Sequence, residues 1–71
     1  MATAVYRVEG MTCEHCVKAV KEEIGAIPGV ESVAVDLAAG EVSTVTVTSG
    51  AAIDPAAIAA AVDEAGYALT P

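Results

Sequence analysis

Two parts of the chain alternate between apolar and polar residues, which is the pattern of strands with one buried face. In the segment from Val30 to Leu37, the alternation is clearest around Val33 and Val35. A second run, rich in valine and threonine, extends from Val42 to Thr48. Because only residues 38–41 separate the two runs, we predict an antiparallel hairpin with a short turn.

An apolar stripe at helical spacing begins near Glu14. Its members are Cys16, Val17, Val20, Ile24 and Ile27. Such a stripe is typical of an amphipathic helix that buries one face. We expect Thr12 to cap the N terminus of this helix, and Gly25 and the Pro28-Gly29 pair to mark its end.

A second helix is predicted from its start signal, the pair Asp54-Pro55. An acidic residue at the cap followed by proline at the first helical position is favourable at a helix N terminus. The buried stripe of this helix consists of Ile58, Val62 and Ala65. We expect Gly66 to end the helix.

Short strands are also predicted near both ends of the sequence, over residues 4–9 and 67–70. The resulting order is strand, helix, strand, strand, helix, strand. This order is typical of the α+β, ferredoxin-like βαββαβ sandwich, in which a four-stranded antiparallel sheet carries two helices on one face. At 71 residues, we expect one domain over residues 1–71.

The composition disfavours an enzyme and disfavours nucleic-acid binding. Apolar residues make up 55% of the chain, yet the sequence has no phenylalanine or tryptophan. A core of small side chains suits a thin two-layer fold without a deep cavity for an organic substrate. Ten acidic and three basic residues give a net charge of −7, which repels phosphate backbones and anionic lipid surfaces.

The sequence also lacks membrane and secretion signals. No apolar run approaches the roughly 18 residues that span a bilayer. The segment from Met1 to Arg7 has neither the basic start nor the apolar stretch of a signal peptide. We therefore expect a cytoplasmic protein without direct membrane insertion. In that compartment two cysteines indicate metal ligands or redox-active thiols rather than a structural disulfide.

Cys13 and Cys16 are the one closely spaced pair of residues in the sequence that indicates a chemical site. Two residues separate them, with Cys13 on a loop and Cys16 in the first turn of the predicted helix. Free backbone N–H groups and the positive end of the helix dipole lie at such a junction. Both favour the thiolate, which is the form of cysteine that binds a metal.

The number and softness of the ligands indicate which metal fits. Thiolates select Cu(I), Zn(II) and iron–sulfur clusters, but a closed zinc site and most clusters need four ligands. His15 is poorly placed as a third ligand because it is rotated by about 100° from Cys16 on a helix. Two soft thiolates therefore favour a low-coordinate soft ion, Cu(I).

The segment Gly10-Met11-Thr12-Cys13-Glu14-His15-Cys16 resembles the G-M-T-C-x-x-C motif of the heavy-metal-associated domains. These domains occur as bacterial copper chaperones and as N-terminal domains of copper-transporting P-type ATPases. Further similar segments are Tyr6 with Val8, Pro28-Gly29-Val30, Ser32-Val33 and Glu64-Ala65-Gly66-Tyr67. The resemblance implies a ferredoxin-like fold and Cu(I) held by Cys13 and Cys16.

The resemblance also implies roles for neighbouring residues. It implies that Met11 is tucked beneath the loop as part of the core, although its sulfur is an alternative copper ligand. Tyr67 is expected close to the site, either as packing or as a hydrogen-bonding partner of the sulfurs. His15 is either an exposed side chain without a ligand role or a charge that tunes the thiol pKa values. Thr12 stands where zinc-handling relatives tend to carry an acid, which favours copper.

The leading hypothesis is a cytoplasmic copper chaperone that passes Cu(I) by ligand exchange to a copper-exporting P-type ATPase or a copper-responsive regulator. One alternative is an excised metal-binding domain of a copper-transporting ATPase. Others are a mercury- or zinc-handling relative and a dithiol redox protein, although the latter normally has a longer chain with a parallel βαβ pattern. A homodimer bridged by copper between the cysteine pairs of two molecules also stays open.

Overall fold

A computed structural model of the protein describes residues 1–38 and 41–70. The elements are β1 (Ala2–Glu9), α1 (Glu14–Gly25), β2 (Val30–Asp36), β3 (Ser43–Ser49), α2 (Pro55–Glu64) and β4 (Ala68–Leu69). This confirms the predicted βαββαβ order. Within the predicted turn 38–41, Ala39 and Gly40 lie outside the described residues.

The four strands form one open antiparallel sheet in the order β2-β3-β1-β4. The hairpin of β2 and β3 confirms the prediction. β1 begins at Ala2, two positions before the predicted strand, because it pairs with β3 along its length. This pairing runs from Ala2 opposite Ser49 to Val8 opposite Ser43. β4 is shorter than predicted and pairs only Leu69 with Val8 and Ala68 with Glu9.

The core lies between the sheet and the two helices. Its buried members are Val8, Met11, Val20, Ile24, Val45, Val47, Ile58, Ala61 and Val62. Both helices and one face of the central strands contribute to this cluster, so the helices lie on the same face of the sheet. Burial of each larger apolar side chain contributes about 1.5–3 kcal/mol, so these few residues carry most of the stabilisation. Ile27, predicted as the last member of the α1 stripe, lies beyond the helix and packs half-buried against the core.

The N terminus of α1 differs from the prediction. Cys13, not Thr12, is the N-cap, with an extended backbone at φ −156° and no side-chain capping bond. The Cys13 carbonyl accepts hydrogen bonds from the backbone N–H groups of Cys16 at 3.1 Å and Val17 at 3.3 Å. Because the first helical turn closes on Cys13, Thr12 stands one residue too early to cap it.

The ends of α2 confirm the prediction. The Asp54 carboxylate accepts a hydrogen bond of 2.9 Å from the Ala56 N–H, and Pro55 follows in the first turn. Gly66 stops the helix with φ +92°, a region that side-chain-bearing residues rarely adopt. The Tyr67 N–H then donates to the Val62 carbonyl at 3.1 Å, which closes a Schellman motif. This motif fixes the direction in which Tyr67 leaves the helix.

Within the described residues, no helix has both the length and the apolar character needed to cross a bilayer.

Candidate metal centre

The cysteine loop is held between the end of β1 and the start of α1. Gly10 turns the chain with φ +93°, and the side chain of Met11 directly after it is completely buried. The following residues, Thr12 and Cys13, are exposed. The buried methionine thus anchors the loop from below while the cysteines stay at the surface, as the prediction for Met11 required.

The two cysteine sulfurs lie 3.5 Å apart. This is well beyond the roughly 2.05 Å of a disulfide bond, and both cysteines are free thiols. Cys13 is exposed and Cys16 is half-buried. One thiol can therefore hydrogen-bond to the thiolate of the other, and both sulfurs can approach one ion from the same side of the loop.

The site stabilises the thiolate of Cys16. The pKa of Cys16 is lowered from 9.0 to about 6, chiefly by a hydrogen bond from the backbone of Thr12. Weaker contributions come from the Tyr67 side chain and the Cys13 backbone; desolvation opposes them and outweighs the further contribution of the Cys13 thiol. Cys16 is thus mostly thiolate at neutral pH, which is the protonation state that a soft metal needs.

Tyr67 approaches the site from the other end of the fold. The turn after α2 places its ring beside Gly10, and its hydroxyl interacts with Cys16. This hydrogen bond is the main reason that the pKa of Tyr67 is raised, since ionised tyrosine could no longer donate to the sulfur. Tyr67 therefore lies beside the cysteine loop, and its role at a metal site stays a prediction.

Thr12 does not cap α1 as predicted, but it acts on the thiol of Cys16. Its hydroxyl oxygen lies 3.9 Å from the Cys16 sulfur, within reach of a weak hydrogen bond, and its backbone is the largest single influence on the Cys16 pKa. The sequence carried a signal for this arrangement. With Cys13 as N-cap, Cys16 occupies the third helical position, where a side chain folds back towards unpaired backbone donors.

His15 is exposed at the second position of α1. Among residues 1–38 and 41–70, no cluster of three or more His, Cys, Asp or Glu side chains is arranged to hold a metal ion. The imidazole is therefore not grouped with the two thiols as a third ligand. Its predicted influence on the thiol pKa values stays a prediction.

The pattern of the heavy-metal-associated domain matches residues 5–68, which include the loop, both helices and all four strands at least in part. The chain belongs to the heavy-metal-associated domain family. This confirms the resemblance seen in the motif from Gly10 to Cys16.

Similar members of the family are copper proteins of two kinds. The domain is 48% identical over 69 residues to copper-transporting ATPase 2 of Rhizobium meliloti (strain 1021), covering 97% of this chain and 8% of the ATPase. It is 39% identical over 67 residues to the copper chaperone CopZ of Bacillus subtilis (strain 168), covering 94% of each. This heavy-metal-associated domain thus spans a small part of the ATPase and nearly the whole length of the chaperone.

The solved structure of a CopZ metallochaperone has the same fold. It superimposes with a TM-score of 0.85 at 30% sequence identity, covering 97% of this chain and 100% of that chain. The ferredoxin-like architecture of this heavy-metal-associated domain is therefore supported by its family, its backbone and its structural neighbour.

Proposed function

We propose that this protein is a cytoplasmic copper chaperone that binds Cu(I) through Cys13 and Cys16. The observation that carries the proposal is the pair of free thiols 3.5 Å apart on a surface loop. The copper chaperone CopZ of Bacillus subtilis, similar over 94% of its own length, supports it. Copper is cargo in this proposal, the whole chain acts as one domain, and no catalytic step is involved.

The donor set favours Cu(I) over Zn(II). Soft thiolates suit monovalent copper, whereas a closed zinc site takes four ligands in a tetrahedron. The described part of the chain groups no third histidine, cysteine or carboxylate with the two thiols. The low pKa of Cys16 supports copper binding at neutral pH, because little free energy is then needed to remove its proton.

The exposure of the loop supports transfer of the metal. Cys13 is exposed while Cys16 is half-buried, so an incoming thiolate can reach an ion bound between them from the side of Cys13. The acceptor thiolate would bind first, and the Cys13 thiolate would leave with its electron pair. We propose a copper-exporting P-type ATPase or a copper-responsive regulator as the acceptor.

The proposal is tested by anaerobic titration of the reduced protein with Cu(I) against a competing chelator. We expect one tight site that is lost in Cys13→Ser/Cys16→Ser and retained in His15→Ala. The same protein, loaded with Cu(I), should pass its copper to a second dithiol protein on mixing. Zn(II) binding tighter than Cu(I) binding, or copper binding that survives loss of both cysteines, would contradict the proposal.

A second candidate function is a metal-binding domain of a copper-transporting ATPase. The 48% identity to the Rhizobium meliloti copper-transporting ATPase 2 favours it. The two functions share the Cys13 and Cys16 site and differ in the size of the native polypeptide. Immunoblotting of native cells with antibodies against this domain distinguishes them, since a chaperone runs near 7.0 kDa and an ATPase far above it.

A further inference from the structure

Both helices pack on one face of the sheet, which leaves the side chains of the other face at the surface. The register of β2, β3 and β1 sets nine of these side chains in three cross-strand rows, which we call the outer face. The rows are Arg7-Thr44-Asp36, Val5-Thr46-Ala34 and Thr3-Thr48-Ser32. Side chains alternate along a strand, and the residues of β3 between these threonines are buried, so the rows point away from the core.

The outer face carries exposed apolar side chains. Within residues 1–38 and 41–70, the large apolar side chains that are exposed are Met1, Val5 and Val42. Val5 is 61% exposed in the middle row. Val42 directly precedes β3, is 41% exposed, and lies with Arg7 and Thr44 around a shallow groove of about 340 Å³. Apart from the N-terminal methionine, these exposed side chains therefore gather on one face, as they do at protein interfaces.

The charges of the outer face stand in a single row. Arg7 on β1 and Asp36 on β2 both lie opposite Thr44, so they flank it at the same level, about 10 Å apart across two strand spacings. The other two rows consist of uncharged residues, and Glu9 stands at the rim, at the end of β1. In a chain with ten acidic and three basic residues, the three rows thus carry one charge of each sign.

We propose that two copies of this chain associate through their outer faces, about a two-fold axis that runs along β3. Two sheets pack face to face at about 10 Å with their strands nearly aligned, and a two-fold axis is the usual symmetry of a homodimer. Rotation about this axis exchanges the β1 side of the face with the β2 side and keeps each row at its own level. In the dimer, β3 therefore lies over β3 of the second copy, and β1 lies over its β2.

A second copy fits this face because the charged row is its own complement. Arg7 of each copy lies opposite Asp36 of the other, so the rotation forms two ion pairs. The gap of about 10 Å between packed sheets suits the combined length of an arginine and an aspartate side chain. A two-fold axis perpendicular to the strands would instead place β1 over β1 and keep Arg7 away from Asp36. Charge complementarity therefore selects both the partner and the direction of the axis.

The same rotation covers the exposed valines. Val5 lies over Ala34 of the second copy in the middle row. Val42 stands on the line of β3, close to the axis, so the Val42 side chains of the two copies meet between the two ion pairs. Each ion pair is then shielded from water on one side by a valine, which strengthens it relative to a pair on an open surface.

The proposed dimer leaves both cysteine loops free. Met11 belongs to the core and Cys16 packs against it, on the helix side of the sheet, whereas the outer face is on the other side. This differs from a dimer bridged by copper, in which the cysteines of two molecules must meet. The outer-face dimer should therefore form without metal and without cysteine.

Sedimentation equilibrium of the metal-free, reduced protein from micromolar to millimolar concentration tests the proposal. An overlap of three short strands is smaller than the roughly 800 Å² per partner of a standard interface, so we expect a weak dimer. The mass should rise with concentration from 7.0 kDa towards twice that value, in the native chain and in Cys13→Ser/Cys16→Ser alike.

Charge reversal tests the two ion pairs. Arg7→Asp and Asp36→Arg should each stay monomeric, because each variant places like charges opposite each other in both pairs. An equimolar mixture of the two should dimerise, since one chain then carries two aspartates in this row and the other two arginines. This rescue by mixing distinguishes a contact between chains from one within a chain. The matched control is Lys21→Asp, which makes the same change of charge at an exposed position of α1 and should dimerise like the native chain.

Val42→Glu tests the axis without changing the ion pairs. It places two carboxylates opposite each other at the axis, so we expect association to weaken at least tenfold. Circular dichroism and Cu(I) binding verify that each variant keeps the fold and the cysteine site. A native chain that stays monomeric at millimolar concentration would overturn the proposal, as would a mixture of the two charge-reversal variants that stays monomeric. A dimer that survives any of the three outer-face substitutions, or one that needs copper or either cysteine, would also overturn it.

Discussion

The ring of Tyr67 lies so close to Gly10 that a Cβ added at Gly10 would come within 3.3 Å of the tyrosine Cδ1. Gly10 also has φ +93°, which costs a side-chain-bearing residue about 1–2 kcal/mol. We expect Gly10→Ala to lower the free energy of unfolding by that amount or more. We also expect it to shift the ring and so raise the pKa of Cys16. Chemical denaturation and pH-dependent alkylation of Cys16 measure the two effects.

Two other glycines serve as controls for this variant. The backbone of Gly66 lies in the same unfavourable region, at φ +92°, but an added Cβ would meet nothing within 4 Å. Gly66→Ala should therefore lose similar stability and leave the Cys16 pKa unchanged. Gly25, in α1, has neither strain nor a close neighbour, so Gly25→Ala should be neutral or slightly stabilising. Equal effects of all three substitutions on the Cys16 pKa would contradict a specific contact between Gly10 and Tyr67.

The sequence predicted the order of the elements because each one has its own local signal. Alternation defined the hairpin of β2 and β3, and the Asp54-Pro55 pair defined the start of α2. The extra residues of β1 could not be predicted, because they are strand only through their pairing with β3. The shortness of β4 likewise depends on where β1 and β4 meet, which no local pattern encodes.

The motif predicted that the two thiols lie close together. It did not predict the contacts that lower the pKa of Cys16. The influence of the Thr12 backbone on Cys16 depends on which residue caps α1, and the prediction was one residue early. Tyr67 reaches the loop from a position 51 residues after Cys16 in the sequence, so only the family resemblance indicated it. Tertiary contacts of this kind are decided by packing rather than by local pattern.

The hydroxyl of Tyr67 should help to keep Cys16 ionised. Tyr67→Phe removes a hydrogen bond that lowers the thiol pKa, so we expect that pKa to rise from about 6 towards its ordinary value of 9.0. The rate of iodoacetamide alkylation as a function of pH measures the shift between Cys13→Ser and Cys13→Ser/Tyr67→Phe, because Cys13→Ser by itself removes one of the weaker influences on the Cys16 pKa. Tyr6→Phe is the matched control, since Tyr6 is the other tyrosine of the chain and lies half-buried on β1. A thiol pKa that is the same in both variants would show that the hydroxyl has no effect.

The ionisation of Cys16 should also make stability depend on pH. Its pKa is about 6 in the folded protein and 9.0 ordinarily, so the folded chain releases the proton at lower pH than the unfolded chain. The resulting stabilisation is fully present above about pH 9 and is lost as the pH falls through about 6. The reduced, metal-free native chain should therefore gain stability relative to Cys16→Ser as the pH rises from 6 to 9.

Urea unfolding of both proteins across that range, under reducing conditions, tests this dependence. The comparison with Cys16→Ser removes the contribution of the shared titrating groups that do not interact with Cys16. Because the thiols lie at the surface, solvent screening keeps the difference small. A difference between the two proteins that stays constant from pH 6 to pH 9 would contradict a lowered Cys16 pKa.

Met11 should act through packing rather than as a copper ligand, because none of its side chain is exposed. We expect Met11→Ala to cost about 2–5 kcal/mol of stability and Met11→Leu less than about 1.5 kcal/mol, since leucine conserves the volume. Met11→Leu should bind Cu(I) as tightly as the native chain, because leucine keeps the loop anchored while removing the sulfur. Met1→Leu, at a residue that is 93% exposed, controls for loss of a methionine. Weaker copper binding in Met11→Leu but not in Met1→Leu would instead identify the Met11 sulfur as a third ligand.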